Sequence, residues 1–460
     1  GRGAQGARGP GTVDRRGTTP QGSRGSQAGT TSKPDPATAV PVTPAANDSH
    51  ARAADRIDPD AVLDLASRLV RLRTVHDRTA PSVEQPGQQP LEKPVEQPAA
   101  DLLAEVMASY GWDVTVTDVA PGRPNVIAVI EGRATGRTLM FEGHTDVVTE
   151  GDPAAWSFDP YAGDVVDGFL RGRGAADMKG GLAAMIHAAR AVEQAGFSGR
   201  LIVAALADEE GMMSGAKAFA ASDLARSGVD GVIVCEPEAG EICTVAKGAL
   251  RIAIDYIGVM AHGAMPQMGR NPIPALGPLL VGVAELERQL QHSVGPHPEL
   301  GEFYVTPTIV AAGDTEQLNV IPAVARLRLD VRTVPATPHA PLLQLLERLA
   351  REIADEAGLG CQFDVIDDRA PVETPEDADV VRALVAAHRD IVGAEPTFGG
   401  VPGTTDGTIL SRDAGLQTVV YGPGGKWIAH QADEMCAAAD IVTAAQVYAE
   451  AAERFFAGSW

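Results

Sequence analysis

Leu139-Met140-Phe141-Glu142-Gly143-His144-Thr145-Asp146-Val147-Val148 reads as a buried strand that runs straight into a histidine and, two positions on, an aspartate. Polar groups at the end of an apolar run are costly to bury unless they are hydrogen-bonded or put to use. For this segment alone two readings stand open. His144 is either a strand-end histidine satisfied by a neighbouring carboxylate or the first member of a polar site. The rest of the chain decides by showing whether groups of the same kind end other strands.

Outward from this stretch, apolar runs alternate with helical periodicity. Strands are expected at about 113–117, 125–131, 138–142, 201–207 and 231–235, and helices at about 61–70, 99–110, 181–194 and 215–220. Strands alternating with helices imply an α/β unit with a mostly parallel sheet. In such sheets ligands bind outside the carboxyl ends of the strands. His144, Glu209, Glu210 and Glu236 all stand at such ends. From Gly248 the pattern becomes strand (250–259), helix (271–291), two strands (303–312 and 323–332), helix (338–357) and strand (361–366). That is the βαββαβ order of a ferredoxin-like domain. A helix at 377–392, a glycine-rich turn with Asp406, a helix at 408–414, a strand at 417–421, His430 and a helix at 438–456 follow. The expected organisation is a first domain in two parts, 53–247 and 368–460, with an inserted domain at 248–367. Residues 1–52, rich in Gly, Arg, Ser, Thr, Pro and Ala, are expected to be disordered. The Pro-, Gln- and Glu-rich segment 78–98 is expected to be an exposed loop.

Composition excludes several classes of partner. A net charge of −23 argues against nucleic acid and anionic membranes. No apolar run approaches the roughly 18 residues of a membrane-spanning helix. The four cysteines (Cys235, Cys243, Cys361 and Cys436) form no Cys-x-x-Cys pair. They suit a reducing compartment rather than a disulfide framework. With no apolar signal-peptide core near the N-terminus, the expected location is the cytoplasm.

One rim thus collects His144, Asp146, Asp177, Glu209, Glu210, Glu236 and, from the last loop, His430. Five carboxylates cannot stay ionised together in a cleft without cations, because like charges repel and desolvation adds to the cost. Imidazole and carboxylate without thiolate suit zinc, cobalt or manganese. Two divalent ions about 3.5–4 Å apart would clamp a hydroxide and polarise a carbonyl. The set can supply His144 with Glu236 for one ion, His430 with Glu210 for the other, and Asp177 between them. Glu209 is then left over as general base and later proton donor, and Asp146 fits behind His144, accepting its other ring N–H.

These residues lie in segments that stand in a fixed order: 143–148, 172–181, Asp208-Glu209-Glu210-Gly211, Cys235-Glu236-Pro237, 261–266, 318–322, Asp330-Val331-Arg332, 403–407 and Ala429-His430. Together they resemble the dinuclear zinc aminoacylase/carboxypeptidase family, which includes acetylornithine deacetylase and succinyl-diaminopimelate desuccinylase. The match covers about residues 58 to 460. The resemblance implies a zinc-exopeptidase-like catalytic domain, an inserted lid through which two copies form a homodimer, and a cis Asp177–Met178 peptide. It also implies that His262 stabilises the oxyanion, commonly across the dimer. Asn319 and Arg332 would contact the substrate's carboxylate or carbonyl, and the backbone at Gly403 and Thr404 would face the substrate.

The expected activity is hydrolysis of an N-acyl amino acid with two divalent ions, zinc first among them. The alternatives are a dipeptidase or carboxypeptidase of the same family, or a non-hydrolytic metal-dependent binder of peptides or amino acids. Loss of Glu209 or of a ligand would signal the binder, and all are present. Where desuccinylases usually carry an arginine, this chain has Lys247-Gly248. Lysine keeps the charge but lacks the planar fork that grips a carboxylate at two points, which counts against a true desuccinylase.

Overall fold

The computed structural model describes residues 52–75 and 96–460. The expectations of disorder over 1–52 and of an exposed loop over 78–98 fall almost wholly outside the described residues. The exceptions are Arg52 and residues 96–98: Glu96 is buried, against the expectation of exposure, and Gln97 and Pro98 open the helix Gln97–Ser109.

A nine-stranded sheet organises residues from both ends of the chain. Its centre is parallel: Thr138–His144 lies between Arg200–Leu206 and Gly231–Val234, and Gly231–Val234 pairs in turn with Thr418–Val420. Its edges are antiparallel, with Arg123–Glu131 and Asp113–Ala120 on one side and Ile242–Ala246 with Val372–Glu373 on the other. Every residue of Thr138–His144 is buried, as expected of a strand covered on both faces.

Alternation along that strand sends Leu139 and Phe141 to one face and Met140 to the other. The first face packs on helices Pro59–Val70, Gly180–Ala195, Asp379–Val392 and Ala438–Ala457, through Leu65, Leu182, Leu384, Tyr448 and Phe455. The second packs on Ser214–Ala220 and Asp406–Ala414, through Phe219, Ile409 and Leu410. Each large side chain buried this way contributes about 1.5–3 kcal/mol, the term that holds the strand ends in place. At the entry to the first helix Asp58 accepts hydrogen bonds from the Asp60 and Ala61 amides, so of the two aspartates there it is Asp58 that caps.

Residues between Gly248 and Arg369 build a separate four-stranded antiparallel sheet, in the order Tyr304–Ala312, Val324–Thr333, Gly248–Ile257, Gly360–Arg369. Helices Ile273–Val294 and His339–Ala357 cover one face and close a core of its own around Ile252, Ile254, Leu279, Leu327, Leu329 and Leu346. A two-residue ribbon pairs Ala261–His262 with Val320–Ile321. Sequence reading placed His262 in a plain loop; the ribbon is too short to leave a periodic signal.

Candidate active site

His144, Glu209, Glu210 and Glu236 are delivered by the ends of buried strands, Asp177 and His430 by irregular backbone. His144 terminates its strand at 1% exposure. Glu209 and Glu210 leave the strand Arg200–Leu206 through a turn in which Asp208 is left-handed, φ 69°. Glu236 follows Gly231–Val234. Asp177 lies in the distorted turn Ala175–Lys179, entered through left-handed Gly174 (φ 87°). A side chain at Gly174 would also strike Val147, so both conformation and space require glycine there. The Asp177–Met178 peptide is cis.

The geometry converges on Asp177. One of its carboxylate oxygens is 3.0 Å from His144 Nε2 and the other 3.3 Å from His430 Nε2. Glu236 Oε1 lies 3.4 Å from His144 Nε2, and Glu210 Oε1 lies 2.8 Å from His430 Nε2. Two triplets, His144/Asp177/Glu210 and His144/Glu209/Glu236, each bring their potential ligand atoms within 4.8 Å of one another.

Electrostatics here follow from packing acids together. Burial, with His144 only partly offsetting it and Glu210 and Glu236 adding repulsion, pushes Glu209 well above the usual carboxylate range. Burial also lifts Glu236 to about 7, with the Asp177 charge adding to it. Burial opposes ionisation of Asp177 too, but hydrogen bonds from His144 and His430 outweigh it and hold Asp177 well below its ordinary value. His430, hydrogen-bonded to Asp177 and Glu210, is raised to about 11. The crowded acids thus favour the protonated form of both imidazoles. Oxygen and nitrogen donors at this density fit divalent ions, whose binding releases such protons.

Asp146 does not play its expected part in full. The ring N–H of His144 meets the backbone carbonyl of Asp146 at 2.9 Å, while the nearer carboxylate oxygen stands at 3.5 Å. The carboxylate instead accepts the amides of Glu209 (3.0 Å) and Glu210 (3.1 Å). One residue therefore aims His144 with its main chain and both glutamates with its side chain.

The remaining residues stand apart from the cluster, with no hydrogen bond or ion pair to it among the described residues. His262 is exposed on its ribbon, its Nδ1 accepting the Ala264 amide, and Asn319 receives the Gly263 amide at 2.6 Å. Arg332 is paired with Asp330. Thr404 accepts from Arg369 at 3.1 Å, and Gly403 faces open space. Lys247 donates to the Glu302 carbonyl at 2.8 Å and lies 4.8 Å over the Tyr304 ring.

Sequence reasoning passed over two buried acids beside the cluster. Glu142 and Asp406, each 1% exposed, have no donor among the described residues apart from each other, a proton on Asp406 being able to hydrogen-bond Glu142. Burial pushes Glu142 up to about 8 and Asp406 well up. Glu142 was visible as the one charge inside the opening apolar run. A further acidic group, Glu238, Glu241 and Cys243, is satisfied by Lys426, whose Nζ lies 2.6 and 3.0 Å from the two carboxylates.

A set of nitrogen and oxygen donors at the rim of a largely parallel sheet suits water attack on a polarised carbonyl, and the chain is a metal-dependent amide hydrolase. It matches the peptidase family M20/M25/M40 over residues 140–454 and belongs to that family. Among curated proteins it is 31% identical, over 368 residues, to a succinyl-diaminopimelate desuccinylase of Cereibacter sphaeroides, covering 77% of this chain and 93% of that one. It is 32% identical to the enzyme of the same name from Methylobacterium radiotolerans, covering 88% of this chain and 100% of the other. Among solved structures, the M20 metallo-carboxypeptidase Sso-CP2 of Sulfolobus solfataricus superposes with a TM-score of 0.69 at 18% identity, covering 86% and 99% of the two chains. The Bacillus subtilis protein YXEP, described as a dinuclear metal-binding peptidase of the M20 family, gives 0.63 at 19% identity, covering 86% and 97%. At these identities the structural likeness concerns the fold. No helix among the described residues is long and apolar enough to cross a membrane.

Proposed function

We propose that this chain removes the acyl group from an N-acyl amino acid, using two divalent ions, zinc first among the zinc, cobalt and manganese that such donors suit. His144 and Glu236 would hold one ion, Glu210 and His430 the other, with Asp177 between. The observation that carries this reading is Asp177 itself, whose two oxygens each face a different imidazole. When bound, such ions make water acidic at neutral pH and polarise the amide carbonyl. Glu209 takes the proton of the attacking water on its carboxylate and returns it to the leaving nitrogen. A raised pKa suits this two-way transfer. Asp146 holds the Glu209 and Glu210 amides and so sets where both carboxylates start.

His262, from the lid, is assigned to the oxyanion, Asn319 and Arg332 to the substrate's carboxylate, and the backbone at Gly403 and Thr404 to the reacting end. The catalytic domain is taken as 53–247 with 368–460, and the lid as 248–367. His262 on the ribbon and Asn319 at its edge make no hydrogen bond or ion pair to the cluster among the described residues, which favours delivery by lid closure or by a second copy. The exposed edge strand Tyr304–Ala312 offers the surface for a homodimer. Four unpaired cysteines are consistent with a cytoplasmic setting.

Relatives named desuccinylase point to a dicarboxylic acyl group, while Lys247 argues for a looser grip on its second carboxylate. The test is hydrolysis of N-acetyl, N-succinyl, N-formyl and long-chain N-acyl amino acids alongside dipeptides, with added zinc, cobalt or manganese. Glu209→Gln is expected to lower kcat by about 10²–10⁴ with metal content unchanged. Activity that survives this change, or fewer than two ions per chain in metal-replete protein, would defeat the proposal.

A further inference from the structure

We infer that Arg173 and Glu434 form a positioning clamp that fixes Asp177 relative to His430, and thereby governs one of the two metal positions more than the other. The inference rests on the ligand assignment proposed above. Glu434 is fully buried and Arg173 is 1% exposed, and the two make an ion pair through Arg173 Nη1 and Glu434 Oε2. The other carboxylate oxygen of Glu434 accepts three amides from the segment that leads into Asp177: those of Gly174 (2.9 Å), Ala176 (3.1 Å) and Asp177 itself (3.2 Å). The Glu434 carbonyl takes the Gly172 amide at 2.9 Å. From the same guanidinium, Nη2 reaches the carbonyls of Thr149 (3.3 Å) and His430 (3.4 Å), and its plane lies 5.1 Å from the Trp156 ring centre.

A buried ion pair is by itself weak grounds for stability, since apolar residues of equal volume often serve as well. What an apolar pair could not do is collect three converging amides on one oxygen while its partner holds a second loop. His430 needs such a hold, because it sits at φ 66°, a region that residues other than glycine rarely occupy. Asp177 and His430 both arrive on irregular backbone, so neither helix nor strand fixes their separation. His144, by contrast, ends a seven-residue buried strand and is aimed by the Asp146 carbonyl, with no contact to the clamp. Loosening Arg173 or Glu434 should therefore weaken the position built from His430 and Glu210, which loses the hold on both Asp177 and the His430 loop, more than the one built from His144 and Glu236, which loses only its share of Asp177.

The experiment titrates metal-free full-length protein with Co²⁺ against a competing chelator, following the cobalt absorption bands, for wild type, Glu434→Gln and Arg173→Lys. Glutamine still accepts the three amides but turns an N–H₂ toward the arginine. Lysine keeps the ion pair but cannot also reach both carbonyls, and is the milder change should the first variant fold poorly. Expected is a loss of affinity of about 10- to 100-fold for one of two bound ions, with the other weakened by clearly less. Activity should recover at high Co²⁺ with the wild-type KM. Two ions held at wild-type affinity in both variants, or equal weakening of both ions, would overturn the clamp. Wild type that binds fewer than two ions would instead overturn the ligand assignment beneath it.

Discussion

Asp146 shows how much one side chain can organise without touching substrate. Its carbonyl orients the His144 ring, and its two carboxylate oxygens each take one amide of the adjacent glutamates. Asparagine is nearly isosteric but has one acceptor where two are needed, and it turns a donor toward a donor. Asp146→Asn is expected to lower kcat by about 10–100-fold while the fold persists, read from steady-state kinetics beside a circular dichroism spectrum. Wild-type kcat would show that the two amides need no partner. At this scale the sequence was informative about identity and poor about contacts. Residue type and placement at strand ends singled out His144, Glu209, Glu210 and Glu236, but the atom through which Asp146 acts depends on how two separate strands end side by side. Glu142 and Asp406 were harder still, because the pairing of two buried acids 264 positions apart has no counterpart in local sequence.

Among elements, the central strands and long helices were legible because their periodicity is sustained. The other short strands were not, and two of them show why. Ile242–Ala246 is only five residues and runs close before the next strand, and Phe398–Val401 contains Gly399 and Gly400, which carry no strand preference. They form by pairing in parallel with each other, a long-range event. The start of the helix Gly180–Ala195 illustrates the tolerance between elements. A methyl group at Gly181 would stand 2.1 Å from the Cys235 carbonyl, in the backbone just before Glu236. Backbone cannot rotate away as a side chain can. Gly181→Ala is expected to cost about 1–3 kcal/mol, measured by urea unfolding, and to lower activity by displacing Glu236. Unchanged stability would mean that the helix can shift along the sheet freely.

Two outcomes belong to the whole molecule. His388, 8% exposed and 3.1 Å from the Tyr421 hydroxyl, is held below its ordinary pKa by burial. Below about pH 6.5 the unfolded chain takes up a proton at this residue that the folded chain refuses, so the contribution of His388 to the unfolding free energy falls as pH falls. His388→Gln is expected to flatten that slope in urea midpoints taken between about pH 5 and 7. An identical slope in both proteins would exclude the residue as the source. The second outcome concerns assembly. Ile309 and Val310 are 56% and 54% exposed on the outer strand of the four-stranded sheet, with backbone groups free to pair. Wild type is expected to elute with twice the chain mass in light scattering, and Ile309→Lys with the single mass. A wild-type monomer would remove the homodimer from the proposal.

By itself the sequence determined the alternation of strands and helices, the inserted βαββαβ segment and the acids and imidazoles at the rim. These follow from periodicity and from the cost of burying charge, both of which act within short windows of chain. Tertiary structure alone decided that Asp177 faces both His144 and His430, and that the Asp146 carboxylate serves the glutamates. It also decided that Glu434 gathers the loop carrying Asp177, and that His262 and Asn319 stand away from the cluster. Those facts depend on contacts between segments as much as 261 residues apart, such as the Arg173–Glu434 pair. The energy of such contacts is realised only once the sheet and its two helical layers have closed.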